Sequence, residues 1–164
     1  MVDKRRSFEE GHRRKFLVVI DGTPECDRAV VYAAKRAERT SGGLVLLCVV
    51  APQEFQHWLG VQDLMREEAE AEAKALLDHY AERAASVAAV QPERRMREGA
   101  RIDEIKREIA EDPDVAILVL AAAAGREGPG PLVTAIAGEA AGSYPIPVTI
   151  VPGGLSDEDI TALA

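Results

Sequence analysis

Three glycines in the last third of the chain have a spacing that could hold phosphate groups. Gly125, Gly128 and Gly138 follow a Gly-x2-Gly-x9-Gly pattern. Glycines in such loops let backbone N–H groups approach phosphate oxygens closely, because no Cβ stands in the way. Pro129 and Pro131 interrupt the same stretch and have no N–H to donate. The spacing therefore predicts a phosphate-binding loop whose chemistry has been altered.

The remaining reactive residues do not form a pattern that is typical of a catalytic or metal centre. None of His12, His57 and His79 lies near a Ser or Cys nucleophile motif, and a Walker-type lysine pattern and a GxGxxG fingerprint are also missing from the sequence. Cys26 and Cys48 lack C-x-x-C spacing, and we expect both to be reduced thiols. These observations favour a binding protein over an enzyme.

The composition predicts one acidic domain that binds neither nucleic acid nor membranes. The chain has 164 residues, of which 47% are hydrophobic, and this is enough for a buried core. Its formal net charge of −8 disfavours nucleic acid and anionic membranes as partners. Neither a secretion signal nor a membrane span can be recognised in the sequence, so we expect a cytoplasmic protein.

The domain is expected to span residues 15–151, between a charged arm at 1–14 and an extension at 152–164. The basic clusters of the arm could contact a polyanion, but a solvated tail is the simpler expectation. In the extension, Ser156 precedes several acidic residues, which is typical of a helix start. This segment could cover the last strand or contact a partner subunit.

Four apolar runs and one polar run predict the strands of the sheet. The apolar runs are hydrophobic at successive positions, as expected for strands that are buried on both faces. The polar run predicts an edge strand, where charge discourages the addition of further strands. The predicted strands are 16–20, 44–50, 93–99, 115–121 and 147–151.

Helices are predicted between these strands. Thr23 is the expected N-cap of the first helix, with Pro24 at its first position. Residues 52–65 show no clear periodicity, and we expect Phe55 and Trp58 to anchor this loop by packing. The remaining helices are predicted at 66–90, through Ile102, Ile105 and Ile109 with an end at Asp112-Pro113, and at about 134–141 with Gly142 as the stop.

The alternation of strands and helices predicts a single doubly wound, flavodoxin-like α/β domain. We expect a five-stranded parallel sheet in the order 3-2-1-4-5 with helices on both faces. In this order the first and fourth strands are neighbours whose crossovers leave to opposite faces. Ligands bind at the carboxyl ends of such strands, which places 21–23 opposite 121–134.

Two long stretches resemble the universal stress protein family. One is LVVIDGTPECDRAVVYAAKRAERTSGGLVLLCVV, and the other is EDPDVAILVLAAAAGREGPGPLVTAIAGEAAGSYPIPVTIV, so the resemblance covers about 15–151. It implies a homodimer through the last strand and a site for ATP or another adenine nucleotide, with Mg²⁺. It also implies adenine contacts from Asp21 and Val49. The expected function is a non-enzymatic stress-response binding or signalling module, and the alternative is a slow ATPase or a related pyrophosphate-cleaving enzyme.

The family pattern fits the glycine-rich stretch in two registers. The literal register uses Gly125, Gly128 and Gly138, with Glu139 where the family has Ser or Thr. An ungapped alignment between the flanking strands instead puts Ala121, Ala124 and Thr134-Ala135 at the family's three glycine positions. We prefer this second register, because it leaves a helix after the loop.

The preferred register predicts weak, altered or lost nucleotide binding. Methyl groups at Ala121 and Ala124 would oppose the approach of phosphate, while the Thr134 hydroxyl and the Ala135 N–H could still bind an anion. Arg126 could pair with a phosphate. Gly125 and Gly128, together with Gly130, form either a different anion-binding loop or a rigid Pro-Gly turn.

Overall fold

The computed structural model describes residues 4–52, 59–138 and 140–164. Within these residues, five parallel strands form one sheet in the order β3-β2-β1-β4-β5, which confirms the predicted topology. The strands are β1 (Lys15–Val19), β2 (Gly43–Val50), β3 (Glu93–Glu98), β4 (Val115–Ala122) and β5 (Val148–Pro152). The helices are α1 (Cys26–Arg39), α2 (Leu59–Val87), α3 (Arg101–Glu111), α4 (Pro131–Ala137) and α5 (Asp157–Leu163).

Both faces of the sheet are covered, and alternate residues of the central strands therefore enter two separate cores. Phe16 and Val18 point to the face covered by α1, α2 and α5. Leu17 and Val19 point to the face covered by α3 and α4, where Ile105 packs. Burial of every residue of β2 explains why its sequence is continuously apolar rather than alternating.

The first helix begins later than its sequence predicts. Glu25 is the N-cap residue of α1 and makes no side-chain capping bond. The predicted N-cap, Thr23, instead donates its hydroxyl to Asp21 Oδ1 at 2.7 Å, and its backbone N–H donates to the same oxygen at 3.1 Å. The prediction for Thr23 was wrong because the preceding aspartate already binds its hydroxyl and N–H.

The limits of two further helices were also predicted incorrectly. α2 begins at Leu59, so residues 59–65 are helical rather than irregular; Phe55, His57 and Trp58 lie outside the described residues. α4 starts at Pro131 and ends before Gly138, its C-cap residue, whereas 134–141 was expected. Pro131 suits the first turn of a helix, because this position needs no N–H donor. A separate 3₁₀ turn spans Ala141–Ser143.

The described part of the amino-terminal arm lies against the body of the domain. The Arg5 guanidinium donates to the carbonyl oxygens of Ile109 at 2.6 Å and Asp112 at 3.1 Å. His12 Nδ1 lies 2.7 Å from Asp114 Oδ1. The expectation of a solvated tail was therefore wrong, because these backbone and carboxylate acceptors bind the basic side chains.

The carboxyl-terminal extension packs on α1. Ser156 caps α5 through a capping box with Asp159, as the sequence predicts, and Ile160 is fully buried. Asp157 forms ion pairs with Arg28 at 2.6 Å and with Arg83 at 3.1 Å. The extension therefore joins α1 to α2. Among the described helices, none is both long and apolar enough to cross a membrane.

Candidate functional site

The carboxyl edge of the sheet, where the parallel strands end, carries the candidate site. Asp21 lies there, two residues beyond the end of β1, and its Oδ1 accepts the two hydrogen bonds from Thr23. Gly22 lies between them and has a backbone φ of +76°, a value that residues with a Cβ rarely adopt. This tight turn holds the Asp21 carboxylate in a fixed position.

The crevice between β1 and β4, where the topology places a ligand, is almost closed. Its volume is about 20 Å³, room for about one water molecule. Asp21 and Ala121 line its opposite walls, and Leu132 from α4 lies against it. The two predicted site residues are therefore brought together, but the space between them is too small for a nucleotide.

A much larger cavity lies on the α3–α4 face of the same edge. Its volume is about 450 Å³, within the range of small-molecule sites. Val49 and Ala135, both predicted from the sequence, contribute to its wall. Apart from Arg101, the side chains around this α3–α4 cavity are apolar. The lining residues are Val49, Ala51, Pro52, Gly99, Ala100, Arg101, Ile102, Pro131, Leu132 and Ala135.

A smaller cavity of about 200 Å³ lies on the α1–α2 face. It shares Val49, Ala51 and Arg101 with the α3–α4 cavity, so the two spaces adjoin around the end of β2. Asp21 and Cys48 also line it. Burial raises the pKa of the Cys48 thiol, and the nearby Arg101 charge only partly opposes this effect, so the thiol stays protonated at neutral pH.

Arg101 was missed from the sequence although it lines both cavities. It is the first residue of α3 and directly follows the turn after the edge strand. Its side chain is exposed and makes no hydrogen bond or ion pair with any residue that the structure describes. The predicted strand order already places the start of this helix at the carboxyl edge. A positively charged residue at that position could therefore have been recognised from the sequence as a candidate site residue.

The glycine loop, residues 123–130 between β4 and α4, takes its shape from two of its three closely spaced glycines. Gly128 has φ +93° and Gly130 has φ +104°, whereas Gly125 does not have a positive φ. The Ala123 N–H donates to the Pro129 carbonyl at 3.1 Å and closes the loop. Ala124, Gly125, Arg126 and Gly128 are all exposed, and Ala124 lies near the turn at Gly154.

Thr134 does not lie at the start of a helix. Its hydroxyl donates to the Gly130 carbonyl at 2.8 Å, and its backbone N–H donates to the same oxygen at 3.0 Å. Both groups are therefore already engaged within α4. Gly138 ends this helix and has the Thr134 carbonyl oxygen beside it, in a space that a Cβ would enter.

Glu25, the N-cap residue of α1, brings a negative charge to the glycine loop. A Cβ placed on Gly130 would lie 3.8 Å from Glu25 Oε1. Glu127 adds a second, exposed carboxylate to the loop. In the described ranges, no group of three or more His, Cys, Asp or Glu side chains could hold a metal ion. The loop therefore has a poor charge balance for a polyphosphate.

The strand order and the helices on both faces define a doubly wound α/β domain, and comparison with known sequences identifies its family. The model of the universal stress protein family matches residues 12–152. The chain belongs to the universal stress protein family. No curated protein sequence matches it.

Solved structures of the family share the fold at low sequence identity. Universal stress protein UspA from Lactobacillus plantarum is 19% identical, with a TM-score of 0.68 over 84% of this chain and 97% of its own. The protein from Archaeoglobus fulgidus, solved with dAMP, is 16% identical, with a TM-score of 0.60 over 84% and 97%. A family protein from Arabidopsis thaliana, solved with AMP, is 17% identical, with a TM-score of 0.55 over 88% and 94%.

Proposed function

We propose that this protein is a stress-response binding module that takes an adenine nucleotide weakly, with the base in the α3–α4 cavity. The observation that carries the proposal is that cavity itself, about 450 Å³ with mostly apolar walls, at the carboxyl edge of the sheet. A purine ring is flat and mainly apolar, and Val49, Ile102 and Leu132 offer it a matching surface.

The named ligands of two solved relatives support the same class of ligand. The Archaeoglobus fulgidus protein was solved with dAMP and the Arabidopsis thaliana protein with AMP. The proposed weakness follows from the methyl groups of Ala121, in β4, and Ala124, in the glycine loop, and from the Glu25 carboxylate near that loop. Any Mg²⁺ would arrive with the nucleotide, bound mainly by phosphate oxygens.

Calorimetric titration with ATP, ADP and AMP, with and without Mg²⁺, tests this function. We expect weak, saturable binding of at least one of them, and no product after prolonged incubation. Failure of all three to bind at millimolar concentration would overturn nucleotide binding. Rapid release of ADP, AMP or pyrophosphate would instead establish a nucleotide-cleaving enzyme.

We also propose that two copies associate through β5, which forms one edge of the sheet. Ile150 is 38% exposed on this strand, and α5 packs on α1 rather than along β5. An uncovered apolar edge strand favours pairing with a second copy around a two-fold axis. The free, buried cysteines fit a reducing compartment, and we therefore propose a cytoplasmic location.

Light scattering after size-exclusion chromatography measures the assembly directly. We expect the mass of a dimer, and a monomer for Ile150→Lys, because the substitution adds a charge to the paired edge. Met96→Lys is the matched control, since Met96 is 40% exposed on the opposite edge strand. A monomeric parent protein, or a dimer that both variants retain, would contradict the proposed interface.

A further inference from the structure

Arg101 is placed to hold an anion at the mouth of the α3–α4 cavity. It lines both this cavity and the smaller one beside it, so an anion bound in either space would lie close to this residue. Nothing in the described parts of the chain forms an ion pair with it. Arginine donates paired hydrogen bonds that match the oxygens of a phosphate group.

The glycine loop on the other side of α4 has the opposite character. Gly130 lies near the Glu25 carboxylate, and Glu127 is exposed in the same loop. Pro129 and Pro131 cannot donate backbone hydrogen bonds, and both donor groups of Thr134 already bind the Gly130 carbonyl. A chain of phosphates along this loop would therefore meet the carboxylates of Glu25 and Glu127 against the single positive charge of Arg126.

We propose that Arg101 binds the single phosphate of an adenine mononucleotide. We also propose that the Glu25 carboxylate repels the additional phosphates of longer nucleotides and so weakens their binding. The proposal rests on the proposed function, because it requires the base to occupy the α3–α4 cavity. It assigns the ligand class as mononucleotides and moves the phosphate site from the glycine loop to the first residue of α3.

Calorimetry with adenosine, AMP and ATP on the parent protein and on Arg101→Gln separates base binding from phosphate binding. We expect AMP to bind about tenfold or more tightly than adenosine, as one charge-assisted contact provides. Arg101→Gln should lower the affinity for AMP to that for adenosine and leave the affinity for adenosine unchanged. The AMP advantage should also shrink as salt is added, because an exposed ion pair is screened.

Lys106→Gln is the matched control, because it removes one exposed positive charge from the same helix away from the cavities. It should leave both affinities as they are in the parent protein. Glu25→Gln should improve ATP binding several-fold and change AMP binding little, since only the longer phosphate chain reaches the loop. Thermal unfolding of each variant verifies that it is folded.

The outcomes separate this inference from the function on which it rests. If neither adenosine nor AMP binds, nucleotide binding itself fails. If both bind with equal affinity, or if Arg101→Gln weakens them equally, the base site stands and the phosphate role of Arg101 is wrong. Loss of the AMP advantage in Arg126→Gln, with Arg101→Gln unaffected, would return the phosphate to the glycine loop.

Discussion

Charged side chains are paired more fully at the amino edge of the sheet, where the parallel strands begin, than at the carboxyl edge, where they end. At the amino edge, where the strands begin, Lys15 and Arg95 both pair with Asp112, at 3.0 Å and 2.8 Å. At the carboxyl edge the pairing is incomplete. Glu98, the last residue of β3, pairs with Arg66 at 2.7 Å, but Arg101 and Arg126 have no such partners among the residues that the structure describes. Pairing at the amino edge fixes α3 and the arm to the sheet, whereas an unpaired cation at the carboxyl edge stays available to a ligand.

Buried carboxylates show how far the pairing near the amino edge extends. Glu108 of α3 is only 2% exposed and accepts hydrogen bonds from Arg95 and, at 2.7 Å, from Arg97. A buried charge is tolerated only when it is paired and hydrogen-bonded. Arg97 also pairs with Glu111, whose side chain is 66% exposed. One arginine therefore joins a buried and an exposed carboxylate, which makes the two directly comparable.

Glu108→Gln should have the largest effect on stability. It keeps the shape of the side chain but removes the negative charge that neutralises two partly buried arginines. Because Arg95 and Arg97 retain other carboxylate partners, we expect a loss of about 2–3 kcal/mol in the free energy of unfolding. Urea denaturation measures it.

Glu111→Gln is the control for this change. The exposed pair should contribute much less than the buried one, because solvent screens it. Equal losses in the two variants would mean that burial does not decide the strength of these pairs, and the contrast between the two edges would lose its energetic basis.

Arg83→Met should have an intermediate effect that depends on pH. Burial of Asp27 acts to raise its pKa, but hydrogen bonds from Arg83 and Arg28 outweigh burial and hold the pKa below its ordinary value. Hydrogen bonds from Arg28 and Arg83 likewise lower the pKa of Asp157. Carboxyl groups with lowered pKa values stabilise the fold above their unfolded pKa, near pH 4, and this contribution is lost as the pH falls further.

Denaturation at pH 7 and at pH 3 tests this dependence. We expect Arg83→Met to lose about 1 kcal/mol at pH 7 and to differ less from the parent protein at pH 3. Lys74→Met, which removes an exposed pair with Asp78 on the same helix, should behave like the parent at both pH values. A loss for Arg83→Met that is equally large at pH 3 would assign the effect to packing of the arginine stem.

The sequence predicted the sheet well, because buried strands carry a strong local signal. The apolar runs predicted the strands to within a residue or two, and the alternation of strands and helices favoured the observed order. Helix starts were harder, since side chains compete for the same groups: Asp21 binds the Thr23 hydroxyl that was expected to cap α1. No local pattern reveals that Glu25 lies beside Gly130, because 105 positions separate them and only the fold brings them together.

The smallest effect is expected in the glycine loop, where it tests which register holds the phosphate. A Cβ on Gly125 or on Gly128 would meet nothing within 4 Å, but only Gly128 has a positive φ, +93°. Gly128→Ala should therefore cost about 1 kcal/mol through backbone strain, and Gly125→Ala less than about 0.5 kcal/mol.

Nucleotide binding by Gly125→Ala then separates the two registers. In the register based on the flanking strands, Gly125 is not a point of phosphate approach, so the affinity for AMP should stay unchanged in calorimetry. In the literal register its missing Cβ is required for that approach, and alanine would weaken binding. Since the substitution is nearly neutral for folding, a weaker affinity would place the phosphate on the loop and count against its placement at Arg101.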